Sequence, residues 1–356
     1  MKYNRTTSLF LILFLTFIFT ACQSIEKEEY NNNPTEEEQV EPEVKGKNSP
    51  GARTRREEGI VVSEIPDFTY SKMEQMIEEL TEKYKGIKVD TIGSSLAGRK
   101  LYLLKLGEGN KKINVVGGFH GRESITSILI LRLLEDYASH QNDKVGGYNL
   151  KKILQDTTFY FIPMLNPDGV EIAINGIDNE SRSKEFYLEA NQGSKDFDRW
   201  KANGRGVDLN DQFPAHWQDV KSADGPHFEE YKGPAPESEP ESKALARLTR
   251  EEDFDLVVAF HNSGSIIYWY YNQTGDRYRR DLQLAQKIGD INGYQVVVPE
   301  DSARRAAGYK DWFVNEFKKP GFTIEVGDGK AEEPLPSSQL SRYFRENRTV
   351  LLELAQ

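Results

Sequence analysis

His120 and Glu123 stand three residues apart in Gly118-Phe119-His120-Gly121-Arg122-Glu123, directly after the run Ile113-Asn114-Val115-Val116. His261 follows a second apolar run, Leu256-Val257-Val258-Ala259-Phe260, in the same way. Side chains at the carboxyl ends of strands converge on the crevice where open α/β sheets bind ligands. Two imidazoles and one carboxylate gathered there leave a fourth position for water. That is the donor set of a catalytic zinc site, whereas a structural site is closed by four protein ligands. The pattern predicts one Zn2+ per chain. A further acid, Glu325, sits inside the apolar run Thr323-Ile324-Glu325-Val326, where a buried carboxylate is costly unless it is paired or functional.

A sheet must position these groups, and the chain supplies the pieces. Apolar residues at helical spacing (Met73, Met76, Ile77, Leu80) predict a helix over 69–85, with Gly86 as its stop. Strands are expected over 99–106, 113–117, 158–162, 256–259, 266–271 and 322–326. Helices are expected over 124–137, 278–288, 309–317 and 338–354. This alternation predicts a single α/β domain over residues 60–356, with a mixed, mostly parallel twisted sheet and helices on both faces.

The 356 residues carry a formal net charge of -11 and show no basic stripe, which excludes duplex nucleic acid as a partner. Hydrophobic residues make up 37%, enough for a sizeable core. The single cysteine, Cys22, rules out a disulfide within the chain. Lys2 and Arg5 precede an apolar stretch over 9–19, then Thr20-Ala21-Cys22. Residues 1–21 therefore read as a signal peptide, the apolar stretch being too short to span a bilayer. The segment resembles a bacterial lipobox, with Phe19 departing from the usual leucine. It implies cleavage before Cys22, a lipid on its thiol, and an exported protein anchored to the outer face of a bacterial membrane. Residues 22–59 are acidic and poor in bulky apolar side chains, the composition of a disordered tether.

Between the two histidine motifs lie Asn166-Pro167-Asp168-Gly169 and Gly206-Val207-Asp208-Leu209-Asn210. With Glu325 at the end of the series, the ordered set resembles the zinc carboxypeptidase family over residues 60–356. The resemblance implies that His120, Glu123 and His261 hold zinc and that Glu325 is the general base. It implies that Asp208 accepts the other ring N–H of His120, and that Arg122 binds substrate backbone or carboxylate. The family arginine that polarises the scissile carbonyl has no clean counterpart. By its spacing from Asn203, Lys201 is the candidate, with Arg199 and Arg205 as rivals. The family's substrate-covering tyrosine is not evident, and Tyr309 sits too near the helix at Asp311-Trp312 for that role.

One departure bears on the substrate. Family carboxypeptidases read Asn-Arg-Asn-Phe where this chain has Asn210-Asp211-Gln212-Phe213. Asp211 replaces the arginine that clamps a peptide's terminal carboxylate, and two anions in a partly dry pocket repel. This run, with Trp200-Lys201-Ala202-Asn203 and Pro334-Leu335-Pro336, resembles the bacterial γ-D-glutamyl-meso-diaminopimelate peptidase I subgroup, which acts on stem peptides of the wall. The resemblance implies a substrate held by Asn210, Asp211 and Arg122, with Asp211 on the distal ammonium of the diamino acid and Arg122 on its distal carboxylate. Two other readings stand beside it: a zinc carboxypeptidase trimming ordinary peptides with basic ends, and a lipoprotein that binds wall peptides without cleaving them. A binding-only protein has no need of Glu325.

Overall fold

The eight-stranded sheet at the centre of the molecule follows from four apolar runs too hydrophobic to leave either face in water. The structure, a computed structural model, describes residues 61–177, 183–297, 307–328 and 333–356. The expected signal peptide, the tether and Cys22 lie outside the described residues. All described residues belong to one compact unit, Glu57–Gln356.

Ten strands and ten α-helices are described. The strands are β1 (Lys88–Ser94), β2 (Lys100–Leu106), β3 (Lys111–Val116), β4 (Lys144–Val145), β5 (Tyr148–Asn149), β6 (Thr157–Ile162), β7 (Leu256–Asn262), β8 (Ile266–Tyr268), β9 (Gln295–Val296) and β10 (Gly321–Val326). The helices are α1 (Tyr70–Lys83), α2 (Ser124–Ser139), α3 (Leu150–Asp156), α4 (Pro167–Asn175), α5 (Lys184–Ala190), α6 (Pro240–Glu252), α7 (Gly275–Asn292), α8 (Tyr309–Phe317), α9 (Leu340–Asn347) and α10 (Val350–Leu354).

The main sheet runs β1-β2-β6-β3-β7-β10-β8-β9, and β4 and β5 form a separate small pair. The inner strands β6, β3, β7 and β10 are parallel neighbours, and antiparallel pairs join β1 to β2, β2 to β6 and β10 to β8. The α/β, mixed, mostly parallel architecture is thus as the sequence predicts. Side chains alternate along each strand. Val258, Phe260, Phe322 and Ile324 face a core closed by Leu129, Leu133, Ile288 and Leu351. Val257 and Ala259 face a second core with Leu245 of α6 and Trp312 and Phe313 of α8. A third, smaller cluster gathers Phe197, Trp200, Ala202 and Phe228.

Differences from the sequence reading are local. The expected helix over 338–354 breaks into α9 and α10, and the strand expected over 266–271 ends at Tyr268. Beyond Tyr268 the chain turns, and the Gln273 amide donates to the Trp269 carbonyl. Among the described residues, no helix is long and apolar enough to cross a membrane.

Candidate active site

His120 owes its position to a tight connection. After β3 the chain passes Gly118, at φ 60°, and Gly121–Glu123 forms a single 3-10 turn that runs into α2. At Gly121 a Cβ would overlap the carbonyl oxygens of Gly169 and Trp200, so only glycine lets the loop lie this close. The backbone N–H groups of Gly121 and Arg122 donate to the carbonyls of Lys201 (3.0 Å) and Trp200 (2.8 Å). Asn166 completes the buckle. Its Nδ2 donates to the carbonyls of Phe119 (3.0 Å) and Ala202 (3.1 Å), while its Oδ1 caps α4 at the Gly169 N–H. The His120 loop and the Lys201 loop are therefore one rigid unit.

His120, Glu123 and His261 converge, all buried, with candidate ligand atoms within 4.8 Å of one another. His120 Nδ1 lies 2.7 Å from Glu123 Oε1, and His261 Nδ1 lies 3.2 Å from Glu123 Oε2 and 3.3 Å from His120 Nδ1. On its far side, His120 Nε2–H donates to Asp208 Oδ1 at 3.1 Å. That bond fixes the tautomer and turns the Nδ1 lone pair toward Glu123. Against burial, Glu123 and Asp208 push the His120 imidazole up to about 9, so the contact calls for a positive charge there, which a proton or a metal ion can supply. Two imidazole nitrogens and a carboxylate suit Zn2+, so the residues fit the metal that their pattern predicts. A zinc ion held there acts as a Lewis acid and brings the pKa of water toward neutrality.

Glu325 joins the site from β10. It pairs in register with His261 on the parallel strand β7, so both side chains leave the sheet on the same face. Burial pushes its carboxyl up to about 8, Glu123's charge adds to this, and His120, Lys201 and Arg122 oppose it. A divalent cation beside it favours the ionised form.

Lys201 Nζ lies 3.5 Å from Asp208 Oδ2. Burial works against its charge, but Asp208 and Glu123 raise its pKa, so it stays an ammonium. Its two rivals are employed elsewhere. The Arg199 guanidinium lies 4.4 Å over the Phe228 ring, and Arg205, half-exposed, pairs with buried Glu239 at 3.3 Å. Arg122 is buried; its Nη1 donates to the Arg199 carbonyl (3.2 Å) and lies 3.7 Å from Glu229, while its buried Nε has no hydrogen-bond partner among the described residues.

Asn210 and Asp211 lie in a 3-10 turn capped by Asp208, whose Oδ1 accepts the Asn210 N–H at 3.0 Å. Asn210 Oδ1 in turn accepts the Tyr309 N–H at 3.3 Å. Burial and then Asp208's charge push the Asp211 carboxyl up to about 7, against Lys201 and His120. Among the described residues no hydrogen bond or ion pair holds that carboxylate.

Tyr309 is part of the support. Buried on the second core, its hydroxyl accepts from Asn114 Nδ2 (2.8 Å) and bonds Thr249 (2.9 Å). The sequence reading gave no structural duty to Asn166 or Gly121. Their signal was present, since an Asn-Pro pair marks a helix start and a glycine inside a ligand motif marks close backbone approach.

Fold and site together define a metal-dependent hydrolase. The peptidase M14 model, described as zinc carboxypeptidase, matches residues 73–350, and the chain belongs to this family: it is a zinc metallopeptidase. It is similar to gamma-D-glutamyl-L-diamino acid endopeptidase 1 of Lysinibacillus sphaericus, at 35% identity over 290 residues, covering 80% of this chain and 72% of that protein. It is also similar to mast cell carboxypeptidase A of Homo sapiens, at 28% identity over 303 residues, covering 80% of this chain and 67% of the relative. The fold is similar to the crystal structure of thrombin activatable fibrinolysis inhibitor, with a TM-score of 0.65 at 21% identity, covering 81% of this chain and 73% of that one.

Proposed function

We propose that this zinc peptidase cleaves the bond between γ-D-glutamate and a diamino acid, diaminopimelate or a close analogue, in peptidoglycan stem peptides. The observation that carries the reading is Asp211: a part-buried acid in the site whose carboxylate no described cation pairs. An acid so placed opposes a free terminal carboxylate and suits a substrate ammonium. The 35% identity to an endopeptidase named for γ-D-glutamyl-L-diamino acids supports the same choice.

In this reading Glu325 takes a proton from the attacking water and returns it to the leaving amine. Lys201, held by Asp208, offers its ammonium to the oxyanion as a point charge rather than a fork. Asp208 keeps His120 in the ligating tautomer. Asn210 and Asp211 bind the diamino acid, and Arg122, which lines a groove beside the metal-binding loop, offers its guanidinium to a substrate carboxylate or carbonyl. We further infer a lipid on Cys22, with the tether over 22–59 holding the peptidase at the outer face of a bacterial membrane.

Turnover of L-Ala-γ-D-Glu-meso-diaminopimelate, set against a peptide ending in lysine or arginine, tests the reading. Cleavage of the first with negligible cleavage of the second is the expected result; the reverse preference selects a carboxypeptidase for basic ends, and turnover of neither contradicts both. For the anchor, Cys22→Ser moves the protein from washed membranes to the soluble fraction. Retention in the membranes contradicts it.

A further inference from the structure

A groove of about 330 Å3 opens beside the metal-binding loop, with Gly121 and Arg122 at its inner end and Ile125 and Ile128 of α2 on its floor. One wall is residues 334–337 and the other is residues 65–68, part of the stretch that leads from the domain's first described residue into α1. That stretch has no ladder partners, yet it is fastened at both ends by carboxylates. Glu135, buried on α2, accepts the N–H of Val61 at 2.7 Å on one oxygen and the N–H of Val62 at 2.9 Å on the other. Tyr84 Oη and Arg132 Nη1 add bonds of 3.1 and 3.2 Å to the same group. At the other end, the Tyr70 N–H donates to Glu171 Oε1 of α4 at 2.8 Å. Val62 and Phe68, both 1% exposed, press the segment onto the main core between these clamps.

The helix that starts at the metal-binding loop thus carries both the floor of the groove and the carboxylate that sets its wall. Asn210 and Asp211, assigned above to the diamino acid, do not line this groove. With the diamino acid on Asn210 and Asp211, Arg122 is taken to serve a carboxylate or carbonyl of the acyl side rather than the distal carboxylate, and the groove it lines lies on that side of the scissile bond. Among the described residues its lining mixes apolar side chains with one cation, Arg122, and two acids, Asp67 and Asp198, so a negatively charged group away from Arg122 is disfavoured.

We propose that residues 61–68 are a specificity element for the acyl side of the substrate. They wall a subsite for the uncharged stretch that precedes γ-D-glutamate, an alanyl residue bearing an N-acyl group, and Glu135 is the positioning residue that holds the wall. The proposal rests on the reading of the bond cleaved. The groove grips the same part of the substrate in the ground state and in the transition state, and such uniform binding shows in KM with kcat unchanged.

The test compares two substrates on the zinc-loaded full chain: γ-D-Glu-meso-diaminopimelate, and the same dipeptide extended by N-acyl-L-alanine. The wild type should show a KM for the extended substrate lower by roughly tenfold. Glu135→Ala should abolish most of that advantage, with kcat and the short substrate's KM within about twofold of wild type. Glu135→Gln, which keeps one acceptor oxygen, should fall between. Leu335→Trp fills the groove from the opposite wall and should erase the advantage without touching the clamp, which serves if Glu135→Ala does not fold. A merely structural Glu135 would lower both substrates' rates by the same factor and leave the KM ratio at its wild-type value, and that result overturns the proposal. Equal KM values in the wild type overturn the groove alone; absence of turnover on both substrates overturns the reading on which it rests.

Discussion

Glu325 of β10 and His261 of β7 are direct neighbours in a parallel pair, the acid on one strand set beside the metal-binding imidazole on the next. Strand pairing, rather than a flexible loop, sets the spacing between Glu325, the proposed base, and the metal site. Tyr268 and Ile266 of β8 continue the same sheet on the other side of β10, so Glu325 is embraced from both edges. In the proposed mechanism that rigidity would let a single carboxylate take a proton from water and return it to the leaving amine without moving its backbone.

Glu325→Gln keeps the shape of the side chain and removes its proton chemistry. Zinc content and substrate binding should stay at wild-type values while kcat falls by about 100- to 10,000-fold. Single-turnover kinetics on the zinc-loaded variant give the answer. A kcat within a few-fold of wild type contradicts the assignment of Glu325 as the base.

Removing ligands and removing their supports should differ in degree. His261→Ala deletes one of three donors, and zinc and activity should be lost together. Asp208→Asn keeps an acceptor for His120 Nε2–H but removes the charge, and should weaken zinc by about 10- to 100-fold. Competition with a chelating dye measures both. Full zinc occupancy in His261→Ala contradicts the ligand set.

Glu241 of α6 gives the fold a pH dependence of its own. It is fully buried and accepts the Leu96 N–H at 3.2 Å and the Asn203 Nδ2–H at 3.3 Å. Burial pushes its carboxyl from 4.5 up to about 7; nearby N–H donors oppose this and Asp168's charge adds to it. Below about 4.5 the acid is protonated in both folded and unfolded chains and costs nothing. Between the two values only the folded chain holds the proton, so stability falls as pH rises, by about 3 kcal/mol at most once pH passes about 7. Glu241→Gln removes this dependence at the cost of an acceptor oxygen. The variant's stability relative to wild type should therefore increase steadily from pH 4 to pH 8 in urea melts. The metal site titrates alike in both proteins and cancels in the difference. A difference that does not change with pH contradicts the raised carboxyl.

The parts of the site that were legible in the sequence are those fixed by strand ends. His120 and His261 follow apolar runs, and Glu325 interrupts one, so period and burial alone place them at one edge of a sheet. The supports were not legible in the same way. Residues 200–239 have no long helical or strand period. Trp200, Val207, Leu209 and Phe213 are nevertheless fully buried, on irregular backbone and short turns rather than on a long element. Asn166 binds the carbonyls of Phe119, Lys201 and Ala202, contacts between loops that spacing cannot reveal. Glu135 reads as one polar position on a helix, and its two backbone partners lie more than seventy residues away in the chain. α6 was missed because its buried face, Ala244, Leu245 and Leu248, lies among charged neighbours.

The substrate reading turns on Asp211, and the most direct measurement is kcat/KM for L-Ala-γ-D-Glu-meso-diaminopimelate with the distal amine free and with it acetylated. If Asp211 pairs with that ammonium, acetylation should cost the wild type about 1.5–3 kcal/mol, roughly 10- to 150-fold. Asp211→Asn keeps the size of the side chain and removes its charge; it should lose activity on the free amine and discriminate little between the two substrates. Asp211→Arg should lose further activity on the free amine and gain on peptides with a simple terminal carboxylate. Equal efficiency of wild type, Asp211→Asn and Asp211→Arg on both forms of the substrate would contradict the account, leaving Asp211 a loop acid with no part in choosing the substrate.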